Sequence, residues 1–280
     1  MHAINLFNIL QQARQDKWAV GEFNMSNLEV LQGIVAAANE AHSPVIVGVA
    51  MGSLKHIGLN YLHGLIQAAK EEARVPLFFH LDHGADLETI QQVIGIGFSS
   101  VMLDTSRLPL EENIAKVRIA VEYAHAHQVL VEAQLGTAGD EEKGIAGEEF
   151  TNPSQVEDFV KRSGIDLLAF SFGSKPGRLE GESEPDLNVV KEVTAVSPVP
   201  CVLHGSSSIP DTFIRQAVQM GVAKINIDAA LRKAFTRALK EVYSKEQLPT
   251  DPRLAMRAVR DAVKAVVLEK MRLFGSVNKA

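Results

Sequence analysis

The stretch 75–86, VPLFFHLDHGAD, begins as an apolar strand and runs into His80, Asp82, His83 and Asp86. Burying so many ionisable groups is unfavourable by several kcal/mol, on the order of the cost of unpaired polar groups, unless they are paired or bind a metal. Alternate residues of a strand point to opposite faces. With Asp82 directed into a shared mouth, His80 lies deeper on the same side, and His83, in the turn, can swing over it. A second imidazole, His204, ends the later run VPCVLHG. Two imidazoles and a carboxylate are a start on a zinc site, which needs three protein ligands and one open position. The remaining histidines lie on helical or loop stretches and carry no assigned role.

What could position these groups is a regular series of short apolar runs. They are Trp18–Phe23, Val45–Val49, Leu77–Leu81, Ser100–Leu103, Val129–Ala133, Leu167–Phe172, Cys201–Leu203 and Ala223–Ile227. Amphipathic stretches alternate with them, among them Asn27–Glu40, Tyr61–Glu72, Leu87–Ile94, Leu110–His127, Pro153–Arg162, Leu187–Val196 and Pro210–Met220. Eight βα units predict a (β/α)8 TIM barrel, one α/β domain over residues 1–280, with Pro252–Phe274 as an added C-terminal helix. A doubly wound sheet would need a glycine fingerprint after the first strand, where GEFNMSN stands instead. The lone GxG, Gly95–Gly97, follows a helix and fits a helix end.

Barrel enzymes place their chemistry at the C-terminal ends of the strands. Those ends carry Asn24 and Ser26, Asp82 and His83, Asp104, Glu132 and Gln134, His204, and Asn226 with Asp228. Helix capping explains Asp86 or Ser26, but not so many polar residues on one rim. The turns HGSSSIP and NIDAALRK suit a phosphate cradle of backbone N–H groups and a helix N-terminus. They also fit two ordinary caps at Ser208 and Asp228. Arg253 and Arg257 could meet phosphate or simply face solvent.

The chain has a formal net charge of −6 and 46% apolar residues, with charges of both signs interspersed. No polybasic run invites nucleic acid or an anionic membrane, and no apolar run is long enough to span a bilayer. The N-terminus lacks the pattern of a signal peptide. The single cysteine, Cys201, reads as a buried thiol, which fits a reducing cytoplasm.

From about residue 4 to 277 the chain resembles the class II, metal-dependent ketose-bisphosphate aldolases, nearest the tagatose- and fructose-bisphosphate members. The residues that carry this are GEFNMSN, SPVIVG, MGSLKHIG, HLDHG, MLDTSRLPLEENI, VEAQLGTAGDEE, FTNPSQVEDFV, VLHGSSSIP, GVAKINID and DPR. The resemblance implies retro-aldol cleavage of a sugar phosphate to dihydroxyacetone phosphate and an aldehyde, usually in a homodimer or homotetramer. It implies zinc or another divalent cation, with a monovalent cation as a further option. His83 and His204 would be metal ligands, and Asp104 a carboxylate of a second site or behind a ligand. Asp82 would take the proton of the C4 hydroxyl, and Asn226 would hold the enediolate. Gly205, Ser207 and Asp228 would face the dihydroxyacetone phosphate. Glu141 would be the proton-transferring carboxylate of the loop after strand five, and Arg253 would reach the far phosphate of a neighbouring subunit.

Four positions depart from the family pattern. Pro176 stands where a third zinc histidine belongs, and proline has no side-chain donor. Gln134 replaces a carboxylate, Ala229 a phosphate-binding threonine, and Ala50 a serine or threonine. The expected metal site is therefore altered, holding metal weakly or not at all. Asp104 or Glu132 could complete it, or Lys175 could place an ammonium where the metal stood. The alternative is an impaired homologue that binds sugar phosphates or partners a catalytic aldolase subunit.

Overall fold

A computed structural model describes residues 5–137, 149–174, 184–244 and 250–280. Eight parallel strands close in sequence order: β1 (Val20–Asn24), β2 (Val45–Ala50), β3 (Leu77–Gly84), β4 (Ser100–Leu103), β5 (Leu130–Leu135), β6 (Leu167–Phe170), β7 (Cys201–Leu203) and β8 (Val222–Ile227), with β8 pairing back onto β1. The expected barrel is the one observed. The helices are α1 (Leu6–Asp16), α2 (Leu28–Ala41), α3 (Met51–Ile57), α4 (Leu59–Glu72), α5 (Leu87–Gly95), α6 (Leu110–Ala126), α7 (Pro153–Ser163), α8 (Leu187–Val196), α9 (Asp211–Met220), α10 (Ala229–Tyr243) and α11 (Pro252–Phe274). The short α3 and the α10 helix add to the amphipathic stretches named from sequence. No described helix is long and apolar enough to cross a membrane.

Short polar side chains start many helices by accepting an otherwise orphaned N–H. Asn5, Asn27, Asp86, Asn152, Asp186 and Asp251 all do this. Asp86 thus has its expected capping role. Ser26 does not: Asn27 caps α2, accepting from the Val30 N–H at 3.0 Å, and Ser26 lines the mouth. Nor does Ser208 cap α9, which begins after Pro210; its hydroxyl donates to the Gly205 carbonyl at 2.7 Å. Cys201 is buried, as expected, which pushes its thiol up to about 11.

The strands' outward residues pack beneath the helices in the main core. Their inward residues form layers, and the lowest is apolar. Leu6, Leu10 and Ala13 of α1 close the barrel floor against Val20, Ile46, Phe78, Met102 and Leu167. Two residues further along several strands the interior becomes charged: Val20 gives way to Glu22, Phe78 to His80, and Leu130 to Glu132. At the floor end of the barrel, Ser276 and the segment after it tie α11 to the α2–β2 connection. Ser43 Oγ donates to Ser276 Oγ at 2.9 Å, the Asn278 N–H donates to the Ala41 carbonyl at 3.0 Å, and the Ala280 N–H donates to the His42 carbonyl at 3.0 Å.

Candidate active site

Strand β3 outruns its expected end by three residues, so His80, Asp82 and His83 all belong to it. The pairing with β4 slips between Leu81 and Gly84. His83 adopts φ 51°, a left-handed conformation uncommon for a side chain larger than glycine. The irregularity turns His83 over the barrel mouth beside Asp82 rather than away from it.

Three donor atoms converge there. His83 Nε2 and His204 Nδ1 are 3.0 Å apart, and Asp82 Oδ1 is 3.9 Å from each. The other nitrogen of each ring is committed to a carboxylate. His83 Nδ1 donates to Asp104 Oδ2 at 2.6 Å, and His204 Nε2 donates to Glu132 Oε1 at 2.6 Å. A carboxylate only accepts, so each ring is left with its lone pair facing the other ring. Two lone pairs at that separation repel unless a proton or a metal ion lies between them. Burial opposes a charge on His83, but Asp82 and the Asp104 hydrogen bond outweigh it and raise the ring to about 9.

This is a donor set that fits a divalent ion. Tetrahedral zinc ligands at the usual bond length stand roughly 3.3 Å from one another. The three atoms found here bracket that spacing, leaving the cleft side open. Carboxylates bonded to the far ring nitrogens are the usual means of fixing ligand tautomers. Asp104 stands behind His83, one of the two places expected for it, and Glu132, expected as a possible third ligand, stands behind His204 and outside the converging set.

Asp82 is steadied by two amides. Asn24 Nδ2 donates to Oδ2 at 2.9 Å, and Asn226 Nδ2 reaches Oδ1 at 3.3 Å. Burial would raise its pKa, but His83, His204 and the Asn24 hydrogen bond hold the carboxyl below its ordinary value. Beneath lies a charged layer not singled out from sequence. Lys224 Nζ, fully buried, bonds Glu132 Oε2 at 2.7 Å and contacts Glu22 Oε2. Burial would lower Lys224, but Glu132 and Glu22 hold it above its ordinary value. Burial pushes Glu22 up to about 8 against the pull of Lys224, whereas Glu132, where Lys224 and His204 outweigh burial, is held well below the usual carboxylate range. His80, at the same depth, meets Ser100 Oγ at 2.8 Å, and burial and Lys224 bring it down to about 3. A signal for this layer existed in the alternation: Glu22 is two residues before Asn24, and Lys224 two before Asn226. Gly48 is required beside it, since a Cβ there would stand 2.2 Å from Asn24 Oδ1 and 2.3 Å from Glu22 Oε1.

The mouth opens as a cleft of about 710 Å³. Asn24, Asp82, His83, Asp104, Gln134, His204 and Asn226 line it, together with Gly205, Ser206, Ser207, Asp228 and Ala229 from the last two turns. Gly205 is left-handed at φ 64°, and Ser207 Oγ accepts from the Ala230 N–H at 3.2 Å, joining the β7 turn to the start of α10. Two cleft cations, Arg107 and Arg232, were not among the residues singled out from sequence. Arg253 is largely exposed at the start of α11, bonded to Asp251, and does not line this cleft. Glu141, Lys175 and Pro176 lie outside the described residues.

A sequence profile described as "Fructose-bisphosphate aldolase class-II" matches residues 4–279. The fructose-bisphosphate aldolase of Geobacillus stearothermophilus is 40% identical over 287 aligned positions, covering 100% of this chain and 99% of that one. The probable fructose-bisphosphate aldolase of Bacillus subtilis (strain 168) is 38% identical, with 100% of both chains covered. Among solved structures, the YdjI aldolase from Escherichia coli K12 superposes with a TM-score of 0.88 at 36% identity, covering 99% of this chain and 98% of that one. A closed barrel with its polar cluster at the strand ends, matched along its whole length in this way, belongs to the class II fructose-bisphosphate aldolases, a family of carbon–carbon lyases of carbohydrate metabolism.

Proposed function

We propose that the protein cleaves, and in reverse forms, a ketose phosphate or bisphosphate, giving dihydroxyacetone phosphate and an aldehyde, with an altered metal site. The observation that carries this is the convergence of His83 Nε2, His204 Nδ1 and Asp82 Oδ1, with the far nitrogens of both rings held by carboxylates. The family's zinc dependence supports the same reading. His83 and His204 would hold the ion. When bound, a divalent ion supplies Lewis acidity toward the substrate ketone.

The chain's own residues do the rest. Asp82, ionised and fixed by Asn24 and Asn226, takes the proton of the C4 hydroxyl. The C3–C4 electron pair moves toward the C2 carbonyl as the aldehyde forms, and a proton returned to C3 completes dihydroxyacetone phosphate. Glu141 is the proposed donor of that proton. Asp104 and Glu132 keep both imidazoles in the tautomers that face the cluster. Asn226 holds the oxygens of the three-carbon half. Gly205, Ser207 and Asp228 border its phosphate, where the start of α10 offers N–H groups. The working unit is proposed to be a homodimer or homotetramer of single-domain barrels, with Arg253 serving a neighbouring cleft.

The alteration is Pro176 in place of a histidine ligand. With two imidazoles retained, purified protein is expected to carry less than one zinc per chain after dialysis against a weak chelator. Pro176→His should raise zinc affinity and aldol cleavage of fructose or tagatose bisphosphate. Stoichiometric, tightly held zinc in the wild type would defeat the altered-site reading. Absence of cleavage in both wild type and Pro176→His, with metal supplied, would leave a sugar-phosphate-binding or aldolase-partner subunit.

A further inference from the structure

Asn24 lies between two carboxyl groups, and its amide cannot serve both in the same way. Its Nδ2 donates to Asp82 Oδ2 at 2.9 Å. Its Oδ1 meets Glu22 Oε1 instead: the two oxygens stand 2.2 and 2.3 Å from the place that a Cβ on Gly48 would take. Both atoms are closed off from solvent, and neither has a hydrogen-bond partner among the described residues. An amide oxygen only accepts, and so does an ionised carboxylate. Two buried acceptors side by side, each unsatisfied, are strongly unfavourable. Turning the Asn24 amide over does not help, because Oδ1 would then face Asp82 Oδ2, acceptor against acceptor.

A proton on Glu22 Oε1 removes the conflict. A neutral carboxyl has one oxygen of each kind. The hydroxyl, Oε1, donates to Asn24, and the carbonyl, Oε2, accepts from the Lys224 ammonium that it contacts. The surroundings favour that form. Facing Glu22 are Lys224 from β8, Glu132 from β5, and His80 and Asp82 from β3, while β2 presents Gly48. Lys224 is already balanced by Glu132 at 2.7 Å. His80 Nε2, 3.9 Å from Glu22 Oε2, is beyond hydrogen-bond reach. An ionised Glu22 would add a third carboxylate to Asp82 and Glu132 beside a single ammonium. The rise of Glu22 to about 8, driven by burial against the pull of Lys224, runs in the same sense.

We propose that Glu22 is a neutral carboxylic acid in the working protein, a positioning residue whose Oε1–H donates to Asn24 Oδ1 and so holds the Asn24 amide with Nδ2 turned to Asp82. Glu22 does not line the cleft, and it acts through Asn24 alone. Its proton decides which end of the amide Asp82 meets, a donor that steadies the carboxylate or an oxygen that repels it. The proton itself is inferred from the packing of Glu22, Asn24 and Gly48. Its consequence for catalysis rests on the aldolase reading, in which Asp82 is the base.

The test has two arms. In the first, the infrared difference spectrum of wild type minus Glu22→Gln at pH 7 should show the carbonyl band of a neutral carboxylic acid. A carboxylate band in its place means that Glu22 is ionised and overturns the proposal. The second arm is cleavage of fructose or tagatose bisphosphate with zinc supplied, in the wild type or, if only that variant cleaves, in Pro176→His. Glu22→Met keeps a long side chain without a donor. It should lower kcat about tenfold or more, the scale of one hydrogen bond to a charged group, with KM little changed. Glu22→Gln restores a donor toward Asn24 and a carbonyl toward Lys224, and should recover most of that loss. A Glu22→Gln variant itself slowed about tenfold overturns the positioning role whether or not Glu22→Met folds, and so does a Glu22→Met variant as fast as its parent. If neither the wild type nor Pro176→His cleaves either substrate, the aldolase reading fails, and the spectrum alone decides the state of Glu22.

Discussion

Lys224 holds its ammonium in the middle of the barrel, out of reach of water, between Glu132 and Glu22. Removing one member of such a group leaves uncompensated charge in a medium that solvates it poorly. Lys224→Met is therefore expected to cost about 3–5 kcal/mol, measured by urea unfolding, and adding Glu132→Gln, which removes the carboxylate that stays ionised beside it, should recover part of the loss. A single substitution that costs under about 1 kcal/mol, the scale of an exposed pair, would mean the ammonium is not paired as described. Residue by residue, the sequence showed the rim better than the interior. Asp82, His83 and His204 were legible because a polar residue at the end of an apolar run needs a reason. Lys224 and Glu22 were not, because each pairs with groups on strands far along the chain. The local clue, that Lys224 stands two residues before Asn226 and so shares its face, does not show the carboxylates that hold it.

Each helix must begin where its strand's side chain belongs in the mouth, and α5 shows how. Asp86 Oδ1 accepts the Thr89 N–H at 2.7 Å just after the β3 residues that carry the cluster. Asp86→Ala should lower stability by about 0.5–2 kcal/mol. That backbone bond also holds the Asp86 carboxyl below its ordinary value. A carboxyl whose folded pKa is depressed stabilises above its unfolded pKa, about 3.9, and the stabilisation is lost as pH falls through the folded value. The gap in urea midpoint between wild type and Asp86→Ala should thus be full at pH 7 and shrink as the pH falls below about 4. Asp86→Asn should keep much of the cap while losing that pH dependence, and a gap constant down to pH 3 would sink the explanation. At this scale the sequence was nearly transparent, since βα alternation and capping residues mark each unit. The misjudged limits lay at strand ends. Polar residues in HLDHG read as a turn, yet parallel pairing with β4 carries the strand through to Gly84 with an irregularity that a hydrophobic pattern cannot show.

The barrel as a whole depends on its floor. Leu10 is completely buried where α1 meets the inward side chains of the strands. Leu10→Ala should cost about 2–5 kcal/mol through lost burial and the cavity left behind. If the chain is one domain, thermal unfolding should still give one transition, shifted to lower temperature. Two separated transitions would show that the floor and the rim unfold apart. The same arrangement fixes an order of events while the chain is being made. Helix α1 is synthesised first, but the surface it covers includes Ala223 of β8, more than two hundred residues later. At cellular translation rates that delay is on the order of 10–40 s. Throughout it Leu6, Leu10 and Ala13 have no complete partner, and β1 waits with one edge open for β8. Closing the ring belongs to the last part of the chain, so the nascent protein must be kept from associating through its own unfinished barrel until the final strand arrives.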